Sequence, residues 1–220
     1  MKPPENRMSE VKANTVIISI CSFLILIGVF FRLYKLDSKE VWHDEVVTIL
    51  HVAGFDYRKV EIFDAQIKPV AQVKSYMGMK EDNNAAAVID SIACFDAAHP
   101  PGYYVLAYYL SSFLGLSSLS LRGLAAFLGL FQIPLAFLLA KELFKENRIA
   151  WLAAAFIALS PVQVPYSQEA KEYSAISSLF LLSTYLFLKA LEKNDIASWL
   201  KHLFSVAVGF YTSGLLVIVS

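Results

Sequence analysis

The chain has 220 residues, of which 57% are hydrophobic and only 17% are charged, and its formal net charge is zero. Soluble domains usually carry about 25% charged residues, so this composition excludes an ordinary soluble domain and indicates a membrane protein. The absence of a basic excess also argues against nucleic acid as a partner.

The first apolar block runs from Val16 to Phe31 and follows three basic residues. A secretory signal peptide has the same order, but no small-x-small cleavage site follows this block. The segment 32–35 (RLYK) is instead an aromatic and basic anchor of the kind found at membrane interfaces. We therefore predict a cytoplasmic tail over 1–15 and a retained first transmembrane helix over 16–36.

The largest polar segment lies between Asp37 and Ala98, and it holds eleven of the nineteen acidic residues but only six basic ones. The apolar block 103–117 that follows would reach only about 22 Å as a helix, which is short for a span. We predict that 37–118 is an outer loop with juxtamembrane helices, in which 103–117 is re-entrant or interfacial.

Apolar blocks continue over 119–140, 149–165, 174–191 and 200–219. With the first helix they predict about five transmembrane helices, so that 119–220 is a membrane module. The chain ends inside its last apolar block, from which we expect a truncated or split protein.

The topology follows from the positive-inside rule. If 103–117 does not span, the connecting loops of the module that carry most basic residues are cytoplasmic, and the acidic segment is outside. The basic residues on these loops are Lys141, Lys145, Arg148, Lys189, Lys193 and Lys201. If 103–117 spans, all six move outside, and we therefore predict the first arrangement.

Three polar motifs then share the outer face. In the first, Trp42-His43-Asp44-Glu45, Asp44 falls where a helix N-cap is expected and Glu45 falls in the first turn. Two interpretations stay open: Asp44 caps the helix, or it is an ionised carboxylate positioned to accept a proton.

The second motif is His99-Pro100-Pro101-Gly102-Tyr103-Tyr104, in which the prolines predict an extended segment followed by a helix start. His99 could donate a hydrogen bond to a phosphate or simply belong to an interfacial helix start. Arg122 opens the next apolar block, where its side chain would reach the membrane interface.

The third motif is Ser167-Gln168-Glu169-Ala170-Lys171-Glu172-Tyr173, which follows two helix-breaking prolines. The spacing places Glu169 and Tyr173 on one helical face, with Glu172 beside them. A solvated helix start would show the same charges.

Together these motifs, with R-L-Y-x-L-D before the first and S-P-x-x-x-x-Y before the third, resemble in order and spacing the protein O-mannosyltransferases and the bacterial aminoarabinose transferases. The resemblance covers the chain from Arg32 to about Leu191. It implies an all-α membrane protein containing the N-terminal module of the C-type glycosyltransferase fold, although members of that family have about eleven or more helices and a further domain.

The resemblance also implies a reaction: inverting transfer of a sugar from a polyprenyl-phosphate donor to an acceptor at the outer membrane face. It makes Asp44 the expected base with Glu45 beside it, and it implies donor-phosphate or substrate contacts for His99, Arg122, Glu169, Lys171 and Tyr173. Lys171 stands where the family usually has arginine, so two-point phosphate recognition is lost at this position.

The resemblance implies a polyprenyl-phosphate sugar as co-substrate. No cofactor or metal ligand is firmly implied, and a divalent cation stays compatible with the sequence. The expected partners are membrane lipid, an acceptor protein, lipid or glycan, and a second polypeptide that supplies the missing helices. The expected location is a bacterial inner membrane with the active site on its outer face.

Two other functions compete with the enzyme as interpretations of this sequence. Ion-coupled transport is disfavoured because 16–31, 123–139, 150–165 and 174–188 hold no charged residue near the middle of the membrane. The alternative that stays open is an inactive remnant or partner subunit of a split membrane glycosyltransferase.

Overall fold

The computed structural model describes residues 4–55, 60 and 67–214, with the side chains of 4–12 and of Phe95 left aside. Within that part the chain forms eleven helices and no strand, which confirms the predicted all-α class. In chain order they are α1 (Pro4–Leu33), α2 (His43–Ala53), α3 (Val70–Ser75), α4 (Ala85–Phe95), α5 (Gly102–Leu114), α6 (Ser118–Leu130), α7 (Gln132–Phe144), α8 (Asn147–Ala158), α9 (Gln163–Tyr166), α10 (Tyr173–Lys193) and α11 (Ile196–Thr212).

Three helical stretches are long and apolar enough to cross a membrane: Ala13–Leu33, Ser118–Phe144 and Tyr173–Lys193. They confirm that the chain is a membrane protein. The second stretch joins α6 and α7, which meet in a turn at Phe131. Pro134 is tolerated just after this turn because the first residues of a helix have no carbonyl partner for their N–H groups.

The other two predicted spans correspond to α8 and α11, which have 12 and 17 residues. A helix of 12 residues reaches only about 18 Å of a hydrocarbon core of about 30 Å. Spans over 149–165 and 200–219 therefore stay predictions, and the end of the second block, 215–219, lies outside the described residues.

The long helices pack side by side, with α8 between α1 and α7, and with α10 against α6, α7 and α11. Gly28 permits the close approach of α1 to α8, because a Cβ at this position would overlap the carbonyl oxygen of Ala158. One turn further, the Arg32 guanidinium donates to the carbonyls of Ile157 (2.7 Å) and Ala158. The C-terminal carbonyls of α8, which have no partner within their own helix, thus accept hydrogen bonds from α1.

The shorter helices α2, α4 and α5 pack on one another, and α5 also packs on α6, at one end of the long helices. Their shared core is apolar and buried. It includes Ile49, Val52, Val88, Ile92, Tyr103, Tyr104, Ala107, Leu121 and Leu124. α5 has only 13 residues and belongs to this group of short helices, but the prediction that 103–117 is re-entrant or interfacial stays untested.

At the opposite end, which we call the basic end, Glu142 of α7 pairs with Lys145 and with Lys189 of α10 (2.6 Å). Arg148, at the start of α8, donates to Asn14 of α1. The structure thus separates the basic loops from the three polar motifs along the length of the spans. Which end faces the cytoplasm stays a prediction from the positive-inside rule.

Candidate active site

A polar cavity of about 280 Å³ opens at the end of the spans that carries α2, α4 and α5. Its size is near the lower end of small-molecule pockets, which span about 300–1,000 Å³. It is lined by His43, Asp44, Val47, His51, Asp96, His99, Lys171 and Tyr173. All three polar motifs of the sequence therefore contribute to one cavity.

Helix α2 supplies four wall residues: His43 at its start, and Asp44, Val47 and His51 at the i, i+3 and i+7 positions of one helical face. The helix begins at His43 with Trp42 as its N-cap residue, so the interpretation of Asp44 as the N-cap is wrong. Asp44 is the second helical residue and is partly exposed. Its carboxylate lies in the first turn, where the helix dipole favours negative charge.

Glu45 caps the helix instead, because its carboxylate accepts the backbone N–H of Trp42 at 3.4 Å. The signal in the sequence was present: an acidic residue three positions after the cap is typical of a capping box. The sequence points to Asp44, two residues later than the observed cap, because tryptophan is not a usual N-cap residue.

The same carboxylate forms an ion pair with Arg122, with distances of 2.7 Å from Nε to Oε1 and 2.6 Å from Nη2 to Oε2. Arg122 also donates to the carbonyls of Leu36, Lys39 and Glu40 at 2.8–3.1 Å. A guanidinium has five N–H donors, and all five are occupied by protein acceptors. Both charged side chains are only 1% exposed.

Glu45 is tied to the third motif as well, because its Oε1 accepts the backbone N–H of Ala170 at 2.9 Å. Burial alone would raise the pKa of Glu45, but the hydrogen bonds from Arg122 and Ala170 bring it below its ordinary value. Neither Glu45 nor Arg122 lines the cavity. The pair lies behind Asp44 and joins α2, α6 and the segment before α10.

The structure corrects the interpretation of the third motif. Residues 167–172 form turns and α10 begins at Tyr173, so Glu169 and Tyr173 do not share a helical face. The N–H of Lys171 bonds to the carbonyl of Glu169 (2.7 Å), while the N–H of Ala170 is taken by Glu45. These contacts replace the helical pattern.

Lys171 is the buried cation of the cavity wall, with 4% of its side chain exposed. Its ammonium donates to the hydroxyl of Tyr104 at 3.3 Å and lies 5.8 Å from the centroid of that ring. Among the described residues no second hydrogen-bond partner is seen for this ammonium. A cation with two unused donors in a cavity is suited to an anion.

His99 and Glu172 form an ion pair beside Lys171, with Nδ1 of the histidine 2.7 Å from Oε1 of the carboxylate. The hydrogen bond to Glu172 raises the pKa of His99, against the opposing effect of burial. Burial would raise the pKa of Glu172, but His99 and the charge of Lys171 lower it. The wall that contains Lys171 thus also contains a histidine held towards its charged form.

Glu169 is close enough to α2 for charges there to act on it, although it does not line the cavity. Burial raises the pKa of Glu169, with further contributions from Glu45 and Asp44 and an opposing one from Lys39. Tyr173 lines the cavity, and its ring lies 4.8 Å from that of Tyr166.

Four of the residues predicted from the sequence therefore meet at the cavity: Asp44, His99, Lys171 and Tyr173. His51 and Asp96 also line it and were missed. The signals for them were the i+7 spacing of His51 from Asp44 and the i−3 spacing of Asp96 from His99. Among the described residues, no group of three or more His, Cys, Asp or Glu side chains could hold a metal ion.

A second cavity, of about 340 Å³ and almost wholly apolar, lies between α5, α6, α7, α10 and α11. Tyr103 contributes to its wall, and the next residue, Tyr104, contacts both Lys171 and Glu172 in the other direction. The apolar cavity and the polar one are thus neighbours across the start of α5.

Residues 98–220, more than half of the chain, match the family model described as dolichyl-phosphate-mannose-protein mannosyltransferase. No match is found among curated proteins or among solved structures.

Proposed function

The chain belongs to the dolichyl-phosphate-mannose-protein mannosyltransferase family, and from this premise we propose that it transfers a sugar from a polyprenyl-phosphate donor to an acceptor hydroxyl. The observation that carries the proposal is that a carboxylate, Asp44, and a buried cation, Lys171, line one cavity beside an apolar one. Such a transfer needs a base for the acceptor, a cation for the leaving phosphate and room for a lipid chain.

In the proposed reaction the acceptor oxygen attacks the anomeric carbon while the bond from that carbon to the phosphate oxygen breaks. Asp44 takes the acceptor proton, and the polyprenyl phosphate leaves with the bonding electron pair. A single displacement of this kind inverts the anomeric carbon. Positioned general bases contribute typically about 10²–10⁴-fold to such steps.

The phosphate is proposed to bind at the wall formed by Lys171 and His99. Charge-assisted hydrogen bonds to phosphate are about twice as strong as neutral ones. Lys171 keeps donors available there, and the raised pKa of His99, caused by its hydrogen bond to Glu172, supports a second cation. The apolar cavity next to Tyr103 would take the start of the polyprenyl chain.

For Arg122 and Glu45 we propose a different role from the one that the family resemblance implied. Phosphate binding by Arg122 would require it to give up acceptors that it already holds, and Glu45 is similarly occupied. We propose that the pair acts as positioning residues that hold Asp44 at the cavity wall. Glu169 is then the alternative base, because burial raises its pKa and the charges of Glu45 and Asp44 act on it.

The cavity is proposed to face the outer side of the membrane. The support is the separation, within one structure, of the acidic motifs from the basic end formed by α7, α8 and α10. Basic loops favour the cytoplasmic side, so the opposite end faces out.

The proposal is tested by measuring transfer of labelled mannose from polyprenyl-phosphate mannose to the acceptors of a host membrane fraction. Asp44→Asn should reduce transfer by at least about a hundredfold, as expected for loss of a general base. The matched control is Asp90→Asn on the exposed face of α4, which should transfer normally. Asp44→Asn should cost only about 0.3–1 kcal/mol of stability, because it removes one charge from a helix N-terminus.

Near-wild-type transfer by Asp44→Asn would reject Asp44 as the base and make Glu169→Gln the next variant to measure. If the unmodified chain binds the donor but transfers nothing, the partner-subunit alternative gains support. If it does not bind the donor at all, the proposed function fails.

A further inference from the structure

The hydrogen bonds around His51 determine which of its ring nitrogens carries the proton. The hydroxyl of Ser91 donates to the carbonyl oxygen of Phe55 at 3.1 Å. A hydroxyl has one proton to donate, so its oxygen must accept in the 2.7 Å contact with Nδ1 of His51. In the neutral ring Nδ1 therefore bears the hydrogen, and Nε2 is a hydrogen-bond acceptor.

This acceptor is buried at the cavity wall and receives no hydrogen bond from the described residues. His51 is 1% exposed, and burial first of all lowers its pKa, to about 4. The ring is therefore neutral near pH 7. Buried acceptors without a donor are costly and rare in native proteins. We therefore expect a molecule bound in the cavity to donate a hydrogen bond to Nε2.

The charged groups that face His51 do not satisfy it. Oδ2 of Asp96 lies 4.0 Å from Nε2, beyond hydrogen-bond distance, and a carboxylate is itself an acceptor. Of the two cations of the cavity, Lys171 donates to Tyr104, while His99 pairs with Glu172 and holds its Nε2 at 3.7 Å from Oδ1 of Asp96, beyond hydrogen-bond distance. Nε2 of His51 thus receives no hydrogen bond from the described part of the chain, and the Asp96 carboxylate beside it is a second acceptor.

We propose that His51 and Asp96 form an acceptor pair that binds hydroxyl groups of the sugar being transferred, so that His51 is a specificity-determining residue. This inference rests on the proposed function. Neighbouring ring hydroxyls supply two O–H donors at adjacent positions, as the two acceptors require. The pair belongs to the same cavity as Asp44, which lies two helical turns before His51 on the same face of α2.

Two substitutions distinguish the roles of the two ring nitrogens of His51. The amide of His51→Asn can replace Nδ1 towards Ser91 but ends short of the cavity, whereas His51→Gln extends a polar group towards the position of Nε2. Affinity is measured for polyprenyl-phosphate mannose and for polyprenyl phosphate without a sugar. His51→Asn should weaken binding of the mannose donor roughly tenfold or more and leave the sugar-free lipid unchanged. His51→Gln should retain more of the preference for the sugar.

Deoxy donors identify the hydroxyl. The wild-type protein should bind one deoxymannose donor about tenfold more weakly than the mannose donor, and His51→Asn should show no such difference.

Equal loss of affinity for both lipids in His51→Asn would indicate a merely structural role and overturn the inference, as would unchanged binding of both. An amino-sugar donor that binds more tightly than mannose, and loses this advantage in Asp96→Asn, would show that the pair binds an ammonium group. That result would overturn the proposal that the pair binds hydroxyl groups. If wild type binds neither lipid, the proposed function fails and the inference fails with it. Equal affinity of the wild-type protein for the two lipids would overturn only the inference, because the donor would still bind without help from its sugar.

Discussion

Arg122 and Glu45 form a buried two-point ion pair that connects the start of α6 to the residue next to Asp44. The same guanidinium holds three carbonyls of the loop before α2. Because Glu45 also accepts the N–H of Ala170, three segments that are distant in the sequence are fixed at one point. The position of Asp44 depends on this network rather than on α2 alone.

The first prediction concerns this network. Arg122→Ala leaves the Glu45 carboxylate buried without its cation, and removing one partner of a buried pair typically costs about 3–5 kcal/mol. We therefore expect a large fall in the free energy of unfolding, measured by denaturation in detergent micelles. Donor use should fall with it because Asp44 loses its place.

Arg148→Ala is the matched control, since Arg148 is partly exposed at the basic end and should contribute less than about 1 kcal/mol. In the double variant Arg122→Ala with Glu45→Gln, part of the loss should be recovered because the unpaired charge is gone. A stable Arg122→Ala protein that has lost only donor binding would show instead that Arg122 binds the donor phosphate, as the family resemblance implies.

The second prediction concerns Lys171. Lys171→Met removes a cation from the cavity, and a hydrogen bond to a charged group is worth about 1.5–3 kcal/mol, so affinity for sugar-free polyprenyl phosphate should fall roughly ten- to a hundredfold. Lys171→Arg should retain most of it, since arginine also binds phosphate. Unchanged affinity in Lys171→Met, at normal stability, would place the phosphate elsewhere.

The third prediction is a pH dependence of stability. The pKa of His99 is raised in the folded protein by Glu172, so its contribution is complete below the unfolded value of about 6.5 and is lost as pH rises through the folded pKa. The pKa of Glu172 is lowered, so its contribution is complete above the unfolded value of about 4.3 and is lost as pH falls through the folded pKa. The pair should therefore stabilise most between these limits.

The unfolding midpoint of the wild-type protein should decline above about pH 6.5 as His99 loses its proton. This decline should be smaller in His99→Gln. It should persist in the control His202→Gln, which changes a histidine of α11. An identical pH profile in wild type and His99→Gln would show that the ion pair does not contribute to stability.

The fourth prediction is the topology. Cys94 is exposed on α4 at the cavity end, whereas Cys21 is buried within α1. An impermeant maleimide added outside intact cells should therefore label wild type at Cys94. In a Cys94→Ser background, Lys145→Cys should be labelled only after permeabilisation, and Gln168→Cys should be labelled without it. Labelling of position 145 in intact cells would reverse the predicted orientation, including the re-entrant assignment of 103–117.

Much of the fold was predictable because long apolar blocks have few solutions in a membrane. The spans at Ala13–Leu33, Ser118–Phe144 and Tyr173–Lys193 correspond to the blocks beginning at 16, 119 and 174. The cavity was predictable in part, since Asp44, His99, Lys171 and Tyr173 belong to motifs that the family resemblance grouped together.

The remainder depends on long-range contacts that a single sequence does not reveal. Arg122 looked like an interfacial arginine because its partner Glu45 is 77 residues away. The turn before Tyr173 looked helical because the competing acceptor for the Ala170 N–H is 125 residues away. His51 was missed because its partner Ser91 is 40 residues away along the chain.

The distances along the chain between Glu45 and its partners also set an order of assembly. A growing polypeptide contains Glu45 long before it contains Arg122, and Ala170 is made later still. Asp44 can reach its final position only after α6 and the segment before α10 have been synthesised and have met α2. Lys171 is the very next residue, so the proposed base and the cation of the cavity become fixed at the same late stage of biogenesis. A nascent chain interrupted before Ala170 could insert its first spans and would still lack the arrangement that the proposed reaction requires.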